Sequence, residues 1–188
     1  MEAFLVSLSS VATAEMGDRT QLLALVLAAK FRKPWAIVAG ALCATLASHL
    51  LAGVLGVWVG KLLTPTRLDL LVGISMIAMA LWTLRPDKLD DEQAEVTGAG
   101  AFVATLVAFF IAEIGDKTQI ATIALAAAYS NLLAVVSGTT CGMMAANIPV
   151  IFLGNAFAHR LPLKAIHYAA SALFLVIGAV FVVRSGVL

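Results

Sequence analysis

Two copies of one short acidic motif hold most of the chemistry open to this chain. Residues 14–21 read AEMGDRTQ and residues 112–119 read AEIGDKTQ. Each copy sets two carboxylates three residues apart, Glu15 with Asp18 and Glu113 with Asp116. An amide, Gln21 or Gln119, follows three residues later. Helix positions i and i+3 share a face, so each copy can present its acids and amide together. The bases Arg19 and Lys117 each sit four residues after their own glutamate, where a helix would let them pair with it. Gly17 and Gly115, between the acids, permit either close helix approach or a local break that exposes backbone carbonyls as ligands. If the two copies meet, four carboxylates, two amides and the hydroxyls of Thr20 and Thr118 surround two bases, with a formal balance of −2. That charge suits one divalent cation. Oxygen donors favour magnesium, calcium and manganese, whereas zinc and copper prefer imidazole and thiolate. Acids crowded away from water also take up protons more readily. Metal and proton can then compete for one site, which is the minimal machinery of an antiporter.

The elements that must position these groups are apolar. Of 188 residues, 62% are hydrophobic and 12% charged, against about 45–50% and about 25% in a soluble domain. Mean hydropathy is +1.01. A soluble globule of this composition would expose large apolar patches, which excludes a cytosolic enzyme. A formal net charge of +1 excludes a nucleic-acid binder, which needs a basic excess. The apolar runs are continuous, not alternating as in a transmembrane β-barrel. The expected class is therefore all-α, a polytopic membrane protein whose partner is the lipid bilayer. A bilayer span takes roughly 20 apolar residues, and six stretches qualify, at about 4–29, 35–59, 68–84, 100–128, 131–157 and 165–183. The opening MEAFLVSLSS lacks a basic region and a cleavage site, so it reads as a retained span, not a signal peptide. Cys43 and Cys141 lie inside apolar runs and have no metal-binding spacing.

The motifs sit 98 residues apart, and the same offset places Gly40 on Gly138, Cys43 on Cys141 and Gly56 on Gly154. The chain divides into a first three-helix repeat at 1–84, an acidic linker at 85–99 and a second three-helix repeat at 100–188. An odd number of spans per repeat makes the second enter the membrane from the opposite face. Such inverted repeats are common in secondary transporters, with the site near the midplane at the repeat interface. Lys30, Arg32, Lys33, Arg85, Lys88, Arg160 and Lys164 fall on the side of loops one, three and five, against Lys61, Arg67 and Arg184 on the other. The positive-inside rule then puts those loops in the cytoplasm and both termini outside it. Six ionisable residues remain in mid-span, each costing about 2.5–3.5 kcal/mol on insertion scales. Such residues are functional candidates by default.

Two copies of Glu-x-Gly-Asp-Lys/Arg-Thr in a small six-span chain resemble the signature of the Gdt/MneA family of cation/proton exchangers. That family includes bacterial manganese exporters and Golgi and chloroplast manganese/calcium transporters. The resemblance covers nearly the whole chain. It implies that Glu15, Asp18, Glu113 and Asp116 bind the cation, with Arg19 and Lys117 at the family's basic position. It further implies export of a divalent cation from the cytoplasm against protons, with manganese favoured in a chain of this bacterial size and calcium second. The transported ion and protons are then the only small partners expected, with no cofactor. The bacterial inner membrane is the expected location.

Weaker signals lie outside the motifs. His49 and Asn147 occupy equivalent positions and could serve as secondary ligands or proton relays, although a lone polar residue in a span is more often hydrogen-bonded packing. The segment DKLDDEQAE at 87–95 reads as a solvated linker, or as a funnel that concentrates cations. Among competing functions, a channel could use the same acids as a selectivity ring, and an assembly factor could use them as salt bridges. An intramembrane metalloprotease would need His-Glu-x-x-His, which does not occur.

Overall fold

The computed structural model describes residues 1–84, 100–154 and 163–186; the 85–99 linker and Arg160 lie outside the described residues. Among the described residues the protein is all-α, with eight helices and no strand. They are α1 (Glu2–Glu15), α2 (Arg19–Phe31), α3 (Pro34–Leu62), α4 (Pro65–Thr83), α5 (Ala101–Glu113), α6 (Lys117–Tyr129), α7 (Leu132–Leu153) and α8 (Leu163–Arg184). Four are long and apolar enough to cross a bilayer: α3, α4, α7 and nearly all of α8.

The stretches expected as continuous spans at 4–29 and 100–128 are each two short helices, interrupted within the motif. The backbone explains the break. Gly17 and Gly115 take φ of 84° and 71°, a region that glycine enters without steric cost and that no helix can contain. Met16 and Ile114 before them are extended, as are Asp18 and Asp116 after them. The aspartates therefore occupy the N-cap positions of α2 and α6, a position that favours Asp, and Asp116 caps with its side chain. The two acids of each motif are consequently not on one helix face; one ends a helix and the other begins the next. The same offset recurs at the following turn, where Arg32 and Ser130 adopt left-handed conformations that close α2 and α6. Pro34 and Pro65 then start α3 and α4, where a missing N–H costs nothing.

Packing crosses between the two parts of the chain. α1 lies along α7, α5 along α3, and α4 along α8, while α3 also contacts α6 and α7. Small residues set the spacing, as they do where helices associate in lipid. Gly40 meets the Phe102 carbonyl and Thr105, and Gly138 meets the Phe4 carbonyl and Ser7, the same contacts with the partners exchanged. Two apolar clusters result. One gathers Val11, Leu23, Ile37, Phe109 and Met143, and the other Val72, Met76, Leu125 and Phe174. Large apolar side chains such as Leu51, Trp58, Ile74 and Val183 point outward, as a lipid-facing surface requires.

This packing carries a prediction. A methyl group on Gly40 would sit 2.6 Å from the Phe102 carbonyl oxygen and 2.9 Å from Thr105 Cβ. Gly40→Ala is expected to lower stability by about 1–3 kcal/mol, the usual cost of overpacking, read as an earlier thermal unfolding in detergent. Gly100→Ala is the control, because a methyl group there meets nothing within 4 Å.

Candidate cation site

The two breaks bring their acids together in the interior. Glu15, Asp18, Glu113 and Asp116 are all buried, as are Thr20, Lys117 and Thr118. One carboxylate oxygen from each of Glu15, Asp18 and Asp116 lies within 4.8 Å of the others. Calcium–oxygen bonds run to about 2.3–2.6 Å, so two oxygens on one ion are at most about 5 Å apart. The three carboxylates, two from the first motif and one from the second, are therefore close enough together to be the candidate ligands of a single hard cation.

Glu113 falls outside this cluster. Its Oε1 accepts from the Thr45 hydroxyl at 2.6 Å, and its Oε2 has no hydrogen-bond partner among the described residues. Glu15 is held locally, with Oε2 accepting from the Thr20 hydroxyl and Oε1 without a hydrogen-bond partner among the described residues. Three of the four expected carboxylates thus converge, and the fourth is tethered to α3.

The bases reach the aspartates of the opposite motif. Lys117 forms an ion pair with Asp18, and Arg19 Nη2 lies 3.2 Å from Asp116 Oδ1. Each motif's base neutralises the other motif's aspartate. The helix break is the reason, because it removes the i, i+4 relation that an unbroken helix would have offered. Asp116 Oδ2 also accepts from the Thr118 amide at 3.2 Å and its hydroxyl at 2.9 Å, which caps α6. The Lys117–Asp18 pair is almost fully shielded, whereas Arg19 keeps 22% of its side chain accessible.

The glutamines sit beside the acids with both ends of the amide engaged. Gln21 Oε1 accepts from the Gly17 N–H at 2.8 Å, and its Nε2 donates to the Ala146 carbonyl on α7 at 2.9 Å. Gln119 Oε1 accepts from the Gly115 N–H at 2.9 Å, and its Nε2 donates to the Ser48 hydroxyl on α3 at 3.1 Å. His49 is fully buried on α3, and neither ring nitrogen has a hydrogen-bond partner among the described residues. Asn147 Nδ2 donates to the Met143 carbonyl at 3.0 Å and approaches its Sδ at 3.2 Å. Sequence reasoning passed over Thr45 and Ser48 as partners of the second motif. The available signal was weak: Thr45 lies one helical turn before His49, so a polar strip runs down that face of α3. Cys43 and Cys141 are free and exposed.

Comparisons with known proteins agree with this chemistry. The family model for divalent cation/proton antiporters, GDT1, matches residues 3–91 and 101–186. A Vibrio cholerae protein named "Putative manganese exporter" is 48% identical over 176 residues, covering 93% of this chain and 88% of its own. A GDT1-like protein of Synechocystis is 28% identical over 200 residues, covering 93% of both chains. The chloroplastic GDT1-like protein 1 of Oryza sativa subsp. japonica is 30% identical over 203 residues, covering 90% of this chain and 58% of its own. No solved structure matches the chain. The chain belongs to the GDT1 family of divalent cation/proton antiporters, membrane transporters rather than enzymes.

Proposed function

We propose that this protein exports manganese from the cytoplasm in exchange for protons, at a site built jointly by its two motifs. The observation that carries this reading is the approach of the Glu15, Asp18 and Asp116 oxygens to within 4.8 Å of one another. Oxygen donors of this kind suit manganese and calcium alike, and the manganese-exporter name of the Vibrio relative favours manganese. Calcium is the second substrate reading.

In this reading the chain forms six spans in two inverted three-helix repeats, 1–84 and 100–188, joined by the 85–99 linker. α1 with α2 and α5 with α6 are the discontinuous first spans of the repeats. Discontinuous helices at a repeat interface are where transporters bind their ions. The termini lie outside the cytoplasm, and the bacterial inner membrane is the location. Without cation, Lys117 and Arg19 supply the counter-charge to Asp18 and Asp116. A divalent ion entering between Glu15, Asp18 and Asp116 takes over that role, with Glu113, Thr20 and Thr118 close by. When the ion leaves, protons and the two bases rebalance the carboxylates. One cluster thus serves metal and proton in turn. His49 and Asn147 are secondary polar groups in this reading.

Reconstitution in liposomes tests the reading. Manganese added to one side is expected to drive protons the other way. Metal flux without proton movement would replace the antiporter with a channel. Folded protein that moves no metal would leave the ion pairs as a scaffold within an assembly factor.

A further inference from the structure

Both motif glutamines were placed by sequence among the oxygen donors of the ion. The geometry points to a different role, which we infer for both and which rests on the proposed exchange: Gln21 and Gln119 are positioning residues that clamp each broken span to the long helix of the opposite repeat, and do not ligate the ion. Each side-chain carbonyl is turned to the N–H of its own motif glycine, at 2.8 Å for Gly17 and 2.9 Å for Gly115. Each amide nitrogen reaches across to another helix, α7 at Ala146 or α3 at Ser48. An amide nitrogen cannot ligate a cation, and it donates away from its own loop. The glycine bond fixes the loop that carries the aspartate, and the cross-helix bond fixes that loop's distance from the neighbouring helix.

The two clamps differ in what holds them. The first ends on a backbone carbonyl, which no substitution removes. The second ends on the Ser48 hydroxyl, a side chain outside the motif that also reaches Glu113. The second motif is also tied to α3 by the Thr45–Glu113 bond, whereas Met143 stands at the equivalent position on α7. α3 therefore holds Glu113 and Gln119 by two side-chain hydroxyls one turn apart, so displacing α3 displaces both together.

Manganese-driven proton flux and its dependence on manganese concentration separate clamp from ligand. Gln119→Glu keeps an oxygen and adds charge but loses the donated hydrogen bond. A ligand would bind as well or better after this change. A clamp predicts a maximal rate lower by about tenfold or more, the usual loss on removing an outer-shell partner, with the half-saturating manganese concentration and the manganese-over-calcium ranking unchanged. Ser48→Ala should reproduce that drop, and Ser48→Thr, which restores the hydroxyl, should recover it. Rates are normalised to folded protein, using thermal unfolding of each variant. A rate retained in Gln119→Glu, a tighter half-saturation in that variant, or a full rate in Ser48→Ala would overturn the inference. Absence of manganese-driven flux in the wild type would instead overturn the exchange on which it rests.

Discussion

Replacing Glu15 with Gln is expected to lower manganese affinity by about 100-fold, equivalent to about 2.7 kcal/mol, and to stop manganese-driven proton flux. The substitution preserves size and leaves an oxygen that can still accept from Thr20, so the fold around α1 is retained. What disappears is one of the three charges whose oxygens stand within 4.8 Å of each other. In a buried site a full charge interacts far more strongly than it does in water, so a neutral amide is a poor substitute. Glu113→Gln is expected to weaken manganese binding less than Glu15→Gln, because Glu113 is held by Thr45 outside the cluster. Manganese titration of the purified variants gives both affinities. Equal affinities in Glu15→Gln and wild type would show that the cluster is not the binding site.

The second large effect is on stability. Lys117 and Asp18 form an ion pair with 2% and 0% of their side chains accessible. Removing one member of a buried pair typically costs about 3–5 kcal/mol, so Lys117→Met should unfold at a markedly lower temperature than wild type. Asp18→Asn added to Lys117→Met should recover most of that loss, since replacing both partners removes the uncompensated charge. The double variant should remain inactive in transport, because a cluster oxygen has lost its charge. Arg19→Met should be milder, since Arg19 is partly accessible and its pairing is screened accordingly. A double-mutant cycle on thermal unfolding measures the coupling directly. Additive effects of Lys117→Met and Asp18→Asn would mean that the pair does not act as a unit.

The helical class and the burial of ionisable motif residues were both legible in the sequence, for physical reasons. Long apolar runs admit few folds, and ionisable groups buried in them are costly enough to stand out. The glycine between the acids was readable as a possible break. A continuous helix fitted the same residues, and only the positive φ of Gly17 and Gly115 decides between the two. Everything that depends on the break was therefore out of reach. With an unbroken helix Arg19 belongs to Glu15; with the break it belongs to Asp116. Contacts made across the chain were equally hidden. Nothing in the order of residues shows that Gln119 reaches Ser48 or that Thr45 holds Glu113, because such pairings depend on how α3 packs against α5 and α6. The likeness of the two motifs also concealed their inequality, since three acids gather while Glu113 is held apart.

The most direct test of a shared site is to count manganese ions bound per chain while recording the protons released. Purified wild-type protein is expected to bind a single manganese ion per chain and to release protons as it does so. Asp18→Asn and Asp116→Asn, which lie in different motifs, should each abolish that one binding event. Two ions per chain, each lost only when its own motif is altered, would contradict a site built jointly by both halves. Manganese binding with no proton release would contradict the exchange.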